Sequence, residues 1–208
     1  MAAVCGTIRS LNLVVFMGSV RINRLGTPLL NLVVKQLKAR GHNVTTLDAK
    51  EEKFPLLEKP YHHYKGGDDK APAWLEKWAQ ILGAADAYIL VDCEYNHSPS
   101  PGMLNLLDHF WRATYGHKPT FICTYSGQST GGARTAYILR NTCGELGMIT
   151  IPTLFHLPAV YSAFNEQGEL TAPRLLAQLE TAFNELEWYA EMLKKARATG
   201  LPVKVRSD

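Results

Sequence analysis

Short runs of consecutive apolar residues alternate along this chain with longer stretches in which apolar positions recur every three or four residues. Leu11–Met17 (LNLVVFM) is such a run and predicts a buried strand. Pro28–Arg40 follows with Leu29, Leu32, Val33 and Leu37 at helical spacing, and Gly41 suits the turn just past a helix end. Asn43–Leu47 predicts a second strand. Asp48–Ala71, broken by Pro55, Pro60, Gly66 and Gly67, predicts a loop. Ala73–Gly83 reads as a helix with Trp74, Trp78 and Ile81 on one face, and Ala87–Val91 as a third strand. After the polar segment Glu94–Ser100, Pro101 opens a helix reaching Tyr115, its missing N–H costing nothing in a first turn. Thr120–Tyr125 is strand four, Ser126–Gly132 a glycine-rich turn, Ala133–Leu146 a helix and Met148–Ile151 strand five. Thr171–Ala198 closes the chain as a long helix, with Leu176, Leu179, Phe183, Leu186 and Leu193 on one apolar face.

Five strands, each followed by a helix, make a parallel sheet with helices on both faces. Strands buried on both sides read as uninterrupted apolar runs, as LVVFM, AYILV and MITI do. The pattern leaves two strand orders open, 2-1-3-4-5 and 3-2-1-4-5. Both place ligands outside the carboxyl ends of the strands, so chemistry is expected in the segments after strands one, three and four.

Composition narrows the class. With 46% hydrophobic residues the chain can outweigh the entropy of ordering, which excludes disorder for most of it. At 208 residues, one domain spanning 1–208 is the expectation. The net charge of +3 is too small to point to nucleic acid. A membrane span needs about 20 consecutive apolar residues, and no such run occurs. Leu11–Met17 behind Arg9 lacks the small-residue cleavage site of a signal peptide. Cys5, Cys93, Cys123 and Cys143 show neither a C-x-x-C pair nor metal-finger spacing, so no metal site is expected. Reduced thiols used as small hydrophobes fit a cytoplasmic protein.

Three loops carry the candidate chemistry. Gly18–Gly26 (GSVRINRLG) is neither a P-loop nor a G-x-G-x-x-G turn, which disfavours a nucleoside triphosphatase and a Rossmann pyrophosphate turn. Its hydroxyl, two guanidinium groups, amide side chain and helix-start N–H groups suit a terminal phosphate; read plainly, Arg21 and Arg24 are surface charges beside a turn. Glu94–Gly102 (EYNHSPSPG) places a dense polar run straight after a buried strand, with His97 as a candidate acid/base and Tyr95 as a candidate ring partner. Read plainly, it is a loop-forming Asn/Ser/Pro cluster. Tyr125–Gly132 (YSGQSTGG) has glycines that let the backbone approach a flat ligand and aim N–H groups at it.

Taken in order, GSVRINRLG, EYNHS followed by Pro-Gly and a helix, and YSGQSTGG-R resemble the NADPH-dependent FMN reductase family over roughly Leu11–Ile151. That resemblance implies a flavodoxin-like fold with strand order 2-1-3-4-5, bound FMN, and NADPH or NADH as co-substrate. It further implies quinone, azo-dye or chromate acceptors and no membrane or nucleic-acid partner. Carried over by position, Ser19, Arg21, Asn23, Arg24 and Leu25 fall where the family holds the FMN phosphate. Glu94, Tyr95, Asn96 and His97 fall along the ribityl chain and isoalloxazine, and Tyr125, Ser126, Gly127 and Gln128 at the pyrimidine edge. Typical members read Y-N-H-S-I-P-G, whereas here an extra residue and an extra proline stand between His97 and Gly102. No catalytic nucleophile or base is expected, since the flavin carries the reaction.

Met103, Leu104, Leu107, Phe110 and Trp111 exceed what one sheet face absorbs, which suggests a homodimer or a dimer of dimers; plain core packing is the alternative. His62, His63 and Tyr64 lie in a solvated excursion or reach a partner's pocket. An FMN-holding electron carrier and a nucleotide- or phospho-sugar-binding module are the competing functions. Carriers of this fold are usually strongly acidic, which +3 does not suit.

Overall fold

The computed structural model describes residues 10–201, so Cys5 and Arg9 lie outside it. Strands β1 (Asn12–Met17), β2 (Asn43–Asp48), β3 (Ala87–Cys93), β4 (Pro119–Tyr125) and β5 (Ile149–Leu157) form one parallel sheet. Its order, β2-β1-β3-β4-β5, is the flavodoxin-like one that hydropathy leaves open and the resemblance implies. The helices are α1 (Thr27–Ala39), α2 (Ala49–Glu52), α3 (Ala73–Ala84), α4 (Pro101–Asp108), α5 (Arg112–Tyr115), α6 (Ala133–Glu145) and α7 (Pro173–Thr199). Side chains alternate across each strand. Leu13, Val15 and Met17 join Leu29, Val33, Leu179 and Phe183 of α1 and α7, while Val14 and Phe16 join Trp78, Leu107 and Leu139 of α3, α4 and α6. Cys93, Cys123 and Cys143 are buried and free.

Two elements differ from expectation. Strand five was expected to end at Ile151, ahead of a proline, yet β5 continues to Leu157. Pro152 is tolerated because β5 is an edge strand, and the register against β4 slips between Thr120 and Ile122. Side chains satisfy the exposed edge: Arg140 donates to the carbonyls of Ile151 and Pro152 at 3.0 Å. Glu185 accepts from the Thr153 N–H and Gln178 donates to the Leu154 carbonyl, also at 3.0 Å.

The helix expected over Pro101–Tyr115 breaks in two, with Trp111 extended at φ −132°, ψ −175°. The cause lies in the segment read as a solvated loop, which contains α2 and a 3₁₀ turn at Tyr61–His63 and packs as a cover. The Tyr61 N–H takes the His109 carbonyl at 2.8 Å, and His109 Nδ1 lies 2.6 Å from the Asn105 carbonyl. Phe54 and Tyr61 pack on Phe110, and His62 stacks on Trp111 with ring centroids 5.6 Å apart. The chain's own segment thus covers Met103, Leu107 and Phe110, which are fully buried, and leaves Leu104 and Trp111 part-exposed.

The exits of β1 and β3 lock to the start of α4. Asp92 Oδ2 accepts from the Ser100 N–H at 2.9 Å, and Ser100 Oγ caps α4 by accepting from the Met103 N–H at 3.2 Å. Gly18 packs so closely here that a Cβ would lie 2.4 Å from Asp92 Oδ1 and 2.5 Å from Ser100 Oγ. Burial, opposed by the Ser100 hydrogen bonds, pushes the Asp92 carboxyl up to about 7. Its Oδ1 has no hydrogen-bond partner among the described residues.

The folded chain thus holds a proton on Asp92 to near neutrality, whereas an unfolded chain releases it near pH ~4. Asp92 therefore makes stability fall as pH rises from that value to about 7, with no further loss from this residue above it. Asp92→Asn is expected to flatten that stretch of the profile in urea unfolding; an unchanged slope would assign the titration to another group.

Candidate functional site

At the carboxyl ends of the strands lies a cavity of about 780 Å³. Every residue singled out from the three loops lines it, together with Cys93, Arg134 and Tyr161. Parallel strands make this convergence unavoidable, because all of them release the chain on the same side.

The two arginines of the first loop have different situations. Arg24 is tied bidentately to Asp48 at the end of β2, Nη1–Oδ1 2.6 Å and Nη2–Oδ2 2.5 Å, and also donates to the Ser19 carbonyl at 2.9 Å. Its side chain is only 9% exposed, so it is neither a free anion ligand nor a surface charge; it braces the loop from within. Arg21 is exposed and forms no salt bridge among the described residues, its guanidinium 3.9 Å above the Tyr95 ring. The backbone N–H groups from Ser19 to Asn23 donate to nothing among the described residues. Asn23 holds the left-handed φ of 53° that such a turn requires. Leu25 is partly exposed at the rim.

The second loop is a tight two-residue turn. Tyr95 and Ser98 exchange N–H···O bonds of 2.9 Å, and Asn96 and His97 both take left-handed φ values, 51° and 65°. Two such residues in succession store about 1–3 kcal/mol each, a cost that clusters at working sites. The extra residue and proline fall beyond the turn: Ser100 caps α4 and Pro101 occupies its first turn. The Tyr95 hydroxyl meets Ser19 Oγ at 2.9 Å, joining loops one and two. Burial pushes the Tyr95 phenol up to about 12 and the neighbouring Cys93 thiol up to about 11, so both stay protonated at neutral pH. Glu94 accepts from Arg134 Nη1 at 2.7 Å and from the Arg134 N–H at 3.2 Å, which joins loops two and three.

In the third loop the Ser126 N–H is used by the Leu157 carbonyl and the Gln128 N–H by Ser126 Oγ. The N–H groups of Gly127, Ser129 and Thr130 are left without an acceptor among the described residues. The Tyr125 hydroxyl and Thr130 Oγ1 are buried with no hydrogen-bond partner among them. Tyr125 lies so close to the start of α1 that a Cβ on Gly26 would sit 2.3 Å from its ring.

Electrostatically the cleft is donor-rich. The acids Asp48 and Glu94 are each paired to an arginine, which leaves Arg21 as a cation without a counter-ion among the described residues. Free N–H groups, an uncompensated guanidinium and two orphaned hydroxyls fit an anionic tail on a polar ring system, as in FMN. Among the described residues no cluster of three or more metal-ligating side chains occurs, and no helix is long and apolar enough to cross a membrane.

Sequence reading missed the parts played by Asp48, Arg134 and Tyr161. Asp48 opens a segment whose prolines and glycines predict a loop, Arg134 belongs to the third motif without a role of its own, and Tyr161 lies well beyond Ile151, where strand five is expected to end. Since Asp48 and Arg24 are both largely buried, Asp48→Asn is expected to cost about 3 kcal/mol by leaving a buried cation unpaired. Chemical denaturation measures the loss, and trypsin cleavage after Arg21 should accelerate.

Comparison with known proteins agrees with this geometry. The family model for NADPH-dependent FMN reductases matches residues 11–161. An NAD(P)H-dependent FMN reductase of Schizosaccharomyces pombe is 28% identical over 180 residues, covering 83% of this chain and 87% of the relative. An NADH:(hydroxy)cinnamate reductase subunit of Vibrio ruber is 27% identical over 137 residues, 64% of this chain and 68% of its own. The flavoenzyme NAD(P)H:(acceptor) oxidoreductase FerB of Paracoccus denitrificans superposes with a TM-score of 0.63 at 20% identity, covering 89% of this chain and 98% of that one. The chain belongs to the NADPH-dependent FMN reductase family.

Proposed function

We propose that this chain is an FMN-dependent oxidoreductase that carries reducing equivalents from NADPH or NADH to quinones, free flavin or similar small acceptors. The observation that carries the reading is one donor-rich cleft where three separate loops meet around unpaired N–H groups and buried, unpartnered hydroxyls. When bound, FMN supplies the hydride chemistry, receiving from the nicotinamide and passing electrons to the second substrate.

The protein's own residues bind and orient. Ser19, Arg21 and the N–H groups through Asn23 hold the phosphate, with Leu25 at the rim; Arg24 contributes by fixing the loop against Asp48. Tyr95, Asn96 and His97 line the ribityl chain and ring, and Glu94 keeps that turn against α6. Tyr125, Ser126, Gly127 and Gln128 form the wall at the pyrimidine edge. The free N–H groups of Gly127, Ser129 and Thr130 would stabilise negative charge at that edge, a preorganised effect that needs no rearrangement. Donor and acceptor use this one cleft in turn. The Vibrio ruber relative, named for (hydroxy)cinnamate, supports an acceptor that is flat and aromatic.

Purified protein is expected to be yellow, or to become so with stoichiometric FMN, and to oxidise NAD(P)H with a quinone. Double-reciprocal plots at several fixed quinone levels should give parallel lines, and intersecting lines would rule out alternating use of the cleft. Arg21→Ala is expected to weaken FMN binding at least tenfold, about 1.4 kcal/mol, as read by flavin fluorescence titration. Retention of stoichiometric FMN through gel filtration would show that Arg21 is not the anchor.

A further inference from the structure

The cleft has a fourth wall that belongs to none of the three loops. Beyond β5 the chain turns through Ala159 and a 3₁₀ turn at Val160–Ser162, bringing Val160 and Tyr161 to the cavity. The segment is fastened to the third loop by three backbone bonds. Ser126 N–H donates to the Leu157 carbonyl at 3.1 Å, Ala159 N–H to the Gln128 carbonyl at 3.3 Å, and Val160 N–H to the Ser126 carbonyl at 3.1 Å. Ala159 adopts φ 45°, a left-handed conformation that a residue with a Cβ takes only under constraint from its surroundings.

This arrangement fixes the backbone that carries Tyr161 to the cleft. It rests directly on the backbone of Gly127, where a Cβ would come within 2.4 Å of Cε2, so any other residue at 127 would displace the ring. Yet Tyr161 is 76% exposed. The ring is open to an incoming aromatic at the cleft, and rings of this size contribute chiefly through burial.

Of the three tyrosines lining the cleft, the others are committed. Tyr125 is buried, and Tyr95 has Arg21 over its ring and Ser19 on its hydroxyl. We propose that Tyr161 determines specificity for the second substrate, its ring stacking on a planar aromatic acceptor at the mouth of the cleft. The assignment rests on the FMN-dependent reading above and adds to it the residue that selects flat acceptors. Stacking buries the open ring face and needs no hydrogen bond, so it favours flatness over any particular substituent.

The test compares the wild-type chain with Tyr161→Ala and Tyr161→Phe, each as purified and after addition of FMN. 2-Naphthoate, a planar aromatic acid that accepts no hydride under these conditions, is titrated against all three and its fluorescence read. Binding is expected to weaken about tenfold in Tyr161→Ala, the upper end of what an aromatic pair contributes, and to be kept in Tyr161→Phe. In turnover, KM for 2-methyl-1,4-naphthoquinone should rise by a similar factor with kcat held, whereas ferricyanide, which has no ring to stack, should change less than about twofold. Equal naphthoate affinity in the wild type and Tyr161→Ala overturns the assignment. So does a parallel loss of FMN from Tyr161→Ala, which would put the ring on the cofactor instead. A chain that takes up no FMN overturns the functional reading alone, because naphthoate binding without FMN still reports on Tyr161.

Discussion

Five parallel strands, the inner three buried on both faces, release the chain at one edge of the sheet, and the site follows from what happens to the backbone there. Along the three inner strands the ladder pairs the N–H and C=O groups on both sides. At the exits the ladder stops, and the polar groups of the next residues need other partners. The first loop leaves its N–H groups from Ser19 to Asn23 unpaired among the described residues, and the third loop leaves those of Gly127, Ser129 and Thr130. A concentration of donors at one place attracts an anion and polar ring atoms, whatever side chains surround it.

Side chains then set the shape and the charge of this edge. The buried Arg24–Asp48 pair ties the first loop to β2, and Glu94–Arg134 ties the second loop to α6. Asp48 behind the first loop and Glu94 on the cleft wall are thereby each paired, and Arg21 has no acidic partner among the described residues. Below the cleft, Asp92, Ser100 and Gly18 close the exits of β1 and β3 against α4 so tightly that no Cβ fits at 18. The consecutive left-handed residues Asn96 and His97 and the constrained Ala159 belong to the same edge. Strain collected there is held in place by the surrounding bonds and keeps the walls of the cleft in position before any ligand arrives.

The segment from Ala49 to Ala71 shows how local pattern misleads. Its prolines, glycines and charges read as a solvent loop, but Phe54, Tyr61 and His62 pack on Phe110 and Trp111. The same packing breaks the helix expected from Pro101 to Tyr115. Apolar periodicity counts the side chains that need cover and is silent on which part of the chain supplies it. Here the chain's own segment supplies the cover for Phe110.

Much of this protein was legible in order along the sequence. Uninterrupted apolar runs gave the buried strands, since a strand covered on both faces has no polar side to show, and the three loops after β1, β3 and β4 were recognisable because ligand-bearing segments fall at strand ends in such sheets. Tertiary structure decided what depends on distant residues meeting. Whether Arg24 was free or paired turned on Asp48, 24 positions further on at the end of β2; the length of β5 turned on Pro152 lying at a sheet edge, and Tyr161 reached the cleft only because β5 ran on. Glu187, a charge on the apolar face of α7, is likewise explained only by Arg40 and His42 beside it. Local sequence encodes backbone preference and burial, which act over a few residues. Pairing of charges, capping of edges and the gathering of loops are long-range events, and only the folded chain fixes them.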